Sequence, residues 1–159
     1  MIRMAKEEDA EKLLKIYGEY IHTPITFEYV LPKVEEFKLR VRDTLKEYPY
    51  LVWEEEGELL GYAYAHRLRE RAAYLHSAEL TVYVAGRAVG KGVGRALYQA
   101  LFQKLKEQGV QMVYGCVTRP NERSEGLHQS LGFALTGIFH KVGYKNGQWL
   151  DVSWFEKEL

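Results

Sequence analysis

Val89-Gly90-Lys91-Gly92-Val93-Gly94-Arg95 sets three glycines at alternate positions between two stretches of opposite character. Before it, Glu79-Leu80-Thr81-Val82-Tyr83-Val84 is β-branched and aromatic, the pattern of a strand. After it, Val93, Ala96, Leu97, Ala100, Leu101 and Leu105 fall on one face of a helix that Gly109 is placed to stop. Without Cβ atoms the loop backbone can approach a ligand closely. The first free N–H groups of the helix, at the positive end of its dipole, suit a pyrophosphate. Lys91 and Arg95 add positive charge where phosphates would sit. Taken alone, such a loop is equally a plain turn. It is not a Walker A loop, which needs four residues between its first glycine and Gly-Lys: Gly86 to Gly90 encloses three, and Lys91 precedes Gly92. A dinucleotide fingerprint begun at Gly92 would need glycine where Leu97 stands, and should open the first βαβ unit.

Working outward from the loop, the N-terminal half reads as a short strand at Ile2 to Met4, then a helix carrying Leu13, Leu14, Tyr17, Tyr20 and Ile21 at helical spacing up to Pro24. A second helix runs from about Pro32 through Phe37, Val41 and Leu45 to just before Pro49. Tyr50 to Glu54 and Leu59 to Ala65 flank Glu56-Gly57 as a β-hairpin, and an Arg-rich connection, Arg67 to Arg71, leads to the Glu79 strand. Beyond the glycine helix come a strand from Met112 to Val117, a helix from Asn121 to Leu131, and a final hairpin, Phe133 to Val142 and Gln148 to Phe155, around Asn146-Gly147. The predicted order is β-α-α-β-β-β-α-β-α-β-β. No repeat, linker or low-complexity segment divides it, so one domain over residues 1–159 is expected, a mixed sheet with helices on its faces.

Composition narrows the function. The 22 Lys and Arg balance 22 Asp and Glu, so the excess cation that drives sequence-independent nucleic-acid binding is missing. A single cysteine, Cys116, provides neither an intrachain disulfide nor a cysteine-rich zinc site, and is expected as a small side chain in an apolar strand. His22, His66, His76 and His140 show no metal-ligand spacing, and no metal is expected. The acidic turn at Glu7-Glu8-Asp9 and the lack of an apolar run of about 18 residues predict neither a signal peptide nor a membrane span, hence a cytoplasmic protein.

Several motifs together carry a family resemblance. The segment Val82 to Leu101 resembles the acetyl-CoA-binding motif of GNAT acetyltransferases, Arg/Gln-x-x-Gly-x-Gly/Ala, with Val89 where the family has its first Arg or Gln. Thr26-Phe27-Glu28, Tyr48-Pro49, Gly61 to Ala65, Arg71 with Tyr74, Glu79 ahead of Thr81 to Val84, Pro120-Asn121, Leu127-His128, Leu131-Gly132-Phe133 and Gly143-Tyr144-Lys145-x-Gly147-x-Trp149-x-Asp151-Val152 are similar to the phosphinothricin acetyltransferase-like pattern within it. The resemblance covers nearly the whole chain.

It implies an α/β (α+β) GNAT fold, a central mixed sheet of about seven strands flanked by about four helices. It also implies acetyl-CoA as cosubstrate, a small amino-acid-like amine such as phosphinothricin or methionine sulfoximine as acceptor, and a homodimer. Cofactor contacts carry over to Val82, Tyr83 and Val84, to Val89, Gly90, Lys91, Gly92, Val93, Gly94 and Arg95, and to Asn121, which is also a natural N-cap. The family draws its oxyanion donor from the Val82 to Val84 strand, where a bulge opens a slot for pantetheine. Glu79 matches the proposed base, which a protonated amine needs, and is otherwise a carboxylate at a strand edge. His128 stands where many relatives carry a Tyr that protonates the leaving thiolate, and fits either a general acid or a second base. Phe27, Arg69, Arg71 and Tyr74 are the implied acceptor contacts, the arginines suited to a carboxylate. Acetylation of a polyamine, lysine or protein N-terminus, and a CoA sensor without catalysis, are the rival readings.

Overall fold

The computed structural model describes residues 1–159. In chain order the elements are β1 (Ile2–Met4), α1 (Ala10–Gly18), α2 (Val34–Leu45), β2 (Tyr50–Glu55), β3 (Glu58–Arg67), β4 (Ser77–Val84), α3 (Val93–Gln108), β5 (Met112–Thr118), α4 (Glu122–Ser130), β6 (Ala134–Lys145) and β7 (Gln148–Glu158). This is the predicted order; the differences lie at element ends. α1 stops at Gly18, and Tyr20 and Ile21 continue in turns. α2 begins after an extended Lys33 rather than at Pro32. Both hairpin turns follow from their residues: Glu56-Gly57 (φ 49° and 79°) and Asn146-Gly147 (φ 53° and 74°) hold the paired left-handed conformation of a two-residue turn whose twist matches the strands.

The strands form one seven-stranded sheet in the order β1-β2-β3-β4-β5-β7-β6, antiparallel except between β4 and β5. Alternation along the strands sorts its two faces. Leu51, Ala63 and Val113 meet Leu97, Leu101 and Leu105 of α3 on one side, with Leu131 and Phe133 after α4. Tyr50, Val52 and Tyr62 meet Leu13 and Tyr17 of α1 and Phe37 and Val41 of α2 on the other. Each fully buried leucine contributes about 1.5–3 kcal/mol of transfer free energy, which fixes α3 and with it the glycine loop that precedes it.

The β4–β5 ladder is short. Its register runs from Ser77 opposite Met112 to Leu80 opposite Gly115 and ends there. On either side pairing continues: β3 stays in register with β4 to Gly61 opposite Val84, and β5 with β7 to Thr118 opposite Val152. The sheet therefore forks beyond Leu80, with β4 leaving on one arm and β5 on the other. This corrects the expectation of a bulge in β4, since the β3–β4 register is unbroken. The slot opens because the parallel ladder stops.

Lys145, at the tip of the final hairpin, is only 5% exposed and faces no carboxylate in contact. Its Nζ donates to the carbonyls of Ile21 (2.8 Å), Thr23 (2.7 Å) and Thr26 (2.7 Å), using the three protons of the ammonium. The connection after α1 is thus pinned to the far edge of the sheet, and Phe27 lies so close over Gly143 that a Cβ there would come within 2.6 Å of its ring. Replacing Lys145 by Met keeps the apolar stem but orphans the carbonyls. Lys145→Met is expected to lower unfolding stability by about 2–4 kcal/mol in urea titrations; no loss would show that the staple is dispensable.

Candidate active site

The glycine loop lies at the mouth of the fork. Gly90 and Gly92 both hold φ 81°, a left-handed conformation that disfavours any side chain, and a Cβ at either would meet nothing within 4 Å. The first backbone bond into the helix is from Ala96 N–H to the Gly92 carbonyl, so the amides of Gly92, Val93, Gly94 and Arg95 have no acceptor within the protein. They open onto a groove of about 740 Å³ lined by β4 from Val82 to Val84, the loop residues Val89, Gly90, Gly92, Val93, Gly94 and Arg95, and Asn121, Arg123, Ser124 and Leu127 from the start of α4. Lys91 is exposed and outside the lining. Asn121 caps α4, its Oδ1 accepting from Ser124 N–H at 3.2 Å, which leaves its amide nitrogen as a donor at the groove.

The inner end of the groove is the fork itself. Ala85 N–H donates to Leu60 O, so by the alternation of an antiparallel ladder Tyr83, Thr81 and Glu79 spend their backbone groups on β3. Val82 and Val84 turn theirs to the open edge. The Tyr20 hydroxyl takes the Val84 carbonyl from that edge, and the Val82 and Val84 amides have no strand beyond them. A smaller cleft continues from here along Glu79 to Tyr83 on one arm and Cys116 to Thr118 on the other, with Tyr98 and His128 behind.

His128 is 3% exposed, packed edge-on to Tyr98 and Phe133 and stacked on Phe155. Its ring comes to the fork because the last residue of β5 paired with β4 is glycine: a Cβ on Gly115 would lie 2.4 Å from Nε2. Nδ1 donates to the Ser124 carbonyl at 2.7 Å, so the neutral ring presents an unprotonated Nε2, with the Tyr98 hydroxyl 3.5 Å away. Burial pushes its pKa below the usual histidine value. Of the two roles open to His128, this state suits a base or a hydrogen-bond acceptor; delivering a proton would require the imidazolium that burial disfavours.

Glu79, with a side chain 24% exposed, has its Oε2 3.1 Å from His66 Nε2 across the β3–β4 register. Cys116 lies beside it, its thiol held protonated by burial and the neighbouring carboxylate. Glu79, His128, the β4 residues, Asn121 and the loop other than Lys91 are thereby brought to one continuous cleft. Phe27, Arg69, Arg71 and Tyr74 are not: Phe27 covers Gly143, and the other three are exposed on the connection between β3 and β4. The sequence marks His66 only as lacking metal-ligand spacing and Cys116 only as a small strand residue, and gives Tyr98 and Arg123 no role. Register would have paired His66 with Glu79 once the hairpin was drawn, whereas Tyr98 and Arg123 carry no signal apart from their helical phase.

Residues 2–154 match the family described as Acetyltransferase (GNAT) domain. The chain belongs to the GNAT acetyltransferase family. It is 37% identical over 163 residues to phosphinothricin N-acetyltransferase of Streptomyces coelicolor, covering 99% of this chain and 95% of that one. Among solved structures it superposes on a GNAT superfamily phosphinothricin acetyltransferase from Sinorhizobium meliloti in complex with AcCoA, with a TM-score of 0.95 and 33% identity over 100% of this chain and 88% of that chain. It also superposes on a ribosomal-protein-alanine N-acetyltransferase from Brucella melitensis, with a TM-score of 0.97 and 35% identity over 100% and 99% of the two chains.

Acetyl-CoA is the cosubstrate of this GNAT enzyme, and the residues present fit it. The unpartnered amides Gly92 to Arg95 suit a pyrophosphate, the open space over Gly90 and Gly92 admits it, and the forked edge of β4 suits an extended amide-bearing arm. When bound it supplies an activated acetyl thioester. Among clusters of His, Cys, Asp and Glu there is no metal-binding group.

Gly94 provides the cleanest test of the groove. Unlike Gly90 and Gly92 its φ is not positive, and its Cβ would make ordinary contacts at 3.5 Å with Leu127 and Val84, so a side chain there fills space without backbone strain. Gly94→Leu is expected to raise the acetyl-CoA Kd at least tenfold in calorimetry while the unfolding midpoint stays within a few degrees. Unchanged affinity would remove the groove as the cosubstrate site.

Proposed function

We propose that the enzyme transfers acetyl directly from acetyl-CoA to the amine of a small amino-acid-like acceptor, with no covalent enzyme intermediate and with Glu79 as the base. The observation that carries this reading is the fork, which brings the Glu79 carboxylate and the free Val82 amide into one cleft, with the free Val84 amide in the groove that adjoins it. Glu79 takes the proton of the acceptor ammonium. Val82 N–H donates to the thioester carbonyl oxygen, where negative charge grows, and His128 Nε2 receives a hydrogen bond at the back of the cleft. Asn121 and the β4 edge hold the pantetheine arm, and the loop amides hold the pyrophosphate.

The amino-acid acceptor is supported by the names of the relatives from S. coelicolor and S. meliloti and by Arg69 and Arg71, exposed cations without an ion-pair partner next to the strand that carries Glu79. Such cations suit the acceptor's carboxylate provided the bound acceptor extends out of the cleft to the β3–β4 connection, and Tyr74 and Phe27 complete the proposed set. The name of the B. melitensis protein favours a protein N-terminus instead. A homodimer belongs to the same proposal: β6 is a sheet edge, and Tyr29 (63% exposed), Val30 (78%) and Trp149 (64%) lie around it in one apolar area tied together by the Tyr29 hydroxyl on the Tyr144 carbonyl. A cytoplasmic location follows from the acetyl-CoA supply this reaction needs.

Two outcomes test the reading together. Glu79→Gln is expected to lower turnover about ten- to a thousand-fold with acetyl-CoA affinity kept, the span typical of a lost general base. With the wild type, thiol release should be seen with phosphinothricin or related α-amino acids and should be weak with their decarboxylated amines. Equal rates with both would reject the carboxylate anchor, and wild-type turnover of Glu79→Gln would reject the base.

A further inference from the structure

His66 is the one histidine bound to the carboxylate of the cleft, and its geometry fixes how protons are held there. Nδ1 lies 3.0 Å from the Arg67 carbonyl, which only accepts, so a hydrogen bond there needs the proton on Nδ1. Nε2 lies 3.1 Å from Glu79 Oε2, and that contact is a hydrogen bond only if one proton is shared between ring and carboxylate. His66 stands directly opposite Glu79 in the β3–β4 register, with its side chain 43% exposed, so one end of the pair meets the cleft and the other meets water.

We propose that His66 and Glu79 act as a single proton acceptor: Glu79 takes the proton from the acceptor's ammonium and His66 Nε2 takes it over, so that the pair ends as carboxylate and imidazolium. This rests on the acetyltransferase reading of the cleft. His66 does not touch the amine; it is a positioning residue that acts through Glu79. The balance closes. One ammonium proton passes to Glu79 and on to neutral His66, the freed lone pair forms the C–N bond, the C–S bond breaks, the second N–H proton ends on the CoA sulfur, and the exposed imidazolium releases the first to water.

The chemistry favours a pair over a carboxylate alone. A glutamate by itself, at about 4.3, is nearly four units from an α-ammonium at about 8, which makes the transfer steeply uphill. The hydrogen bond to Glu79 raises His66 above the ordinary histidine value, and so narrows the gap. The other groups facing the pair stay fixed through the neutral range. From β3, Tyr64 beside His66 is pushed up by burial and the Arg67 guanidinium is drawn away to Glu47. From β5, Cys116 is pushed up by burial and by Glu79 itself. Tyr98 on α3 is pushed up and His128 on α4 is pushed down, both by burial. The sign follows: below the raised pKa of His66 the pair already holds its proton and cannot accept another, so activity rises with pH through that value.

The test is kcat/KM against pH for the wild type and His66→Gln with the same acceptor, because the ratio of the two profiles cancels the acceptor's own ionisation. We expect the ratio of wild type to His66→Gln to rise with pH, by up to about tenfold per unit, and to level above the His66 titration with the variant about tenfold slower. Histidine NMR adds a readout independent of turnover: the His66 titration should move to lower pH in Glu79→Gln. A ratio that does not vary with pH, or a His66 titration unmoved in Glu79→Gln, overturns the proposal while leaving the acetyltransferase reading intact. A wild type that acetylates no amine overturns both.

Discussion

The end of the parallel ladder at Leu80 and Gly115 is the constraint on which the rest depends. Up to that pair β4 is an interior strand with both edges bonded; beyond it, one edge is bonded to β3 and the other is free. A free strand edge inside a protein is costly unless something satisfies it. Here a tyrosine hydroxyl takes one carbonyl, and the neighbouring amides remain as donors for a ligand. An extended, amide-bearing cosubstrate arm is the group that such an edge can bind as though it were another strand. The fork thus converts an unfinished sheet into a binding slot, and α3, anchored by its buried leucines, sets the glycine loop at the slot's mouth.

The same fork explains why two very different ionisable groups share one cleft. His128 reaches it from below, through the gap left by the missing Cβ of Gly115, and is kept neutral by an aromatic cage. Glu79 reaches it from the last paired residues of β4, beside a half-exposed histidine in contact with water. Burial depth rather than residue type separates their chemistry: the deep ring offers a lone pair and a fixed orientation, and the shallow pair can exchange protons with solvent.

Much of this was legible in the sequence because it depends on local rules. Asn146-Gly147 and Glu56-Gly57 set their hairpins, Gly109 ended α3, Asn121 capped α4, and the alternate glycines marked the loop. What the sequence left open depends on partners far apart in the chain. The slot was expected from a bulge in β4, but where a parallel ladder ends is decided by the separate paths of β4 and β5, which no local pattern records. Nothing local to Lys145 signals burial, yet its ammonium is held by carbonyls more than a hundred residues away. His66 falls just beyond the predicted strand Leu59 to Ala65, and only the longer β3 and its register set it against Glu79.

Residue-resolved amide hydrogen exchange tests the fork most directly, because the account assigns alternate residues of one strand to opposite fates. In the free enzyme Thr81 and Tyr83, bonded to β3, should be protected, whereas Val82 and Val84 should exchange rapidly; on adding acetyl-CoA the Val82 and Val84 amides should become protected, with Thr81 and Tyr83 little changed. Val82 and Val84 already protected without the cosubstrate, or still exchanging rapidly at saturating acetyl-CoA, would contradict the account.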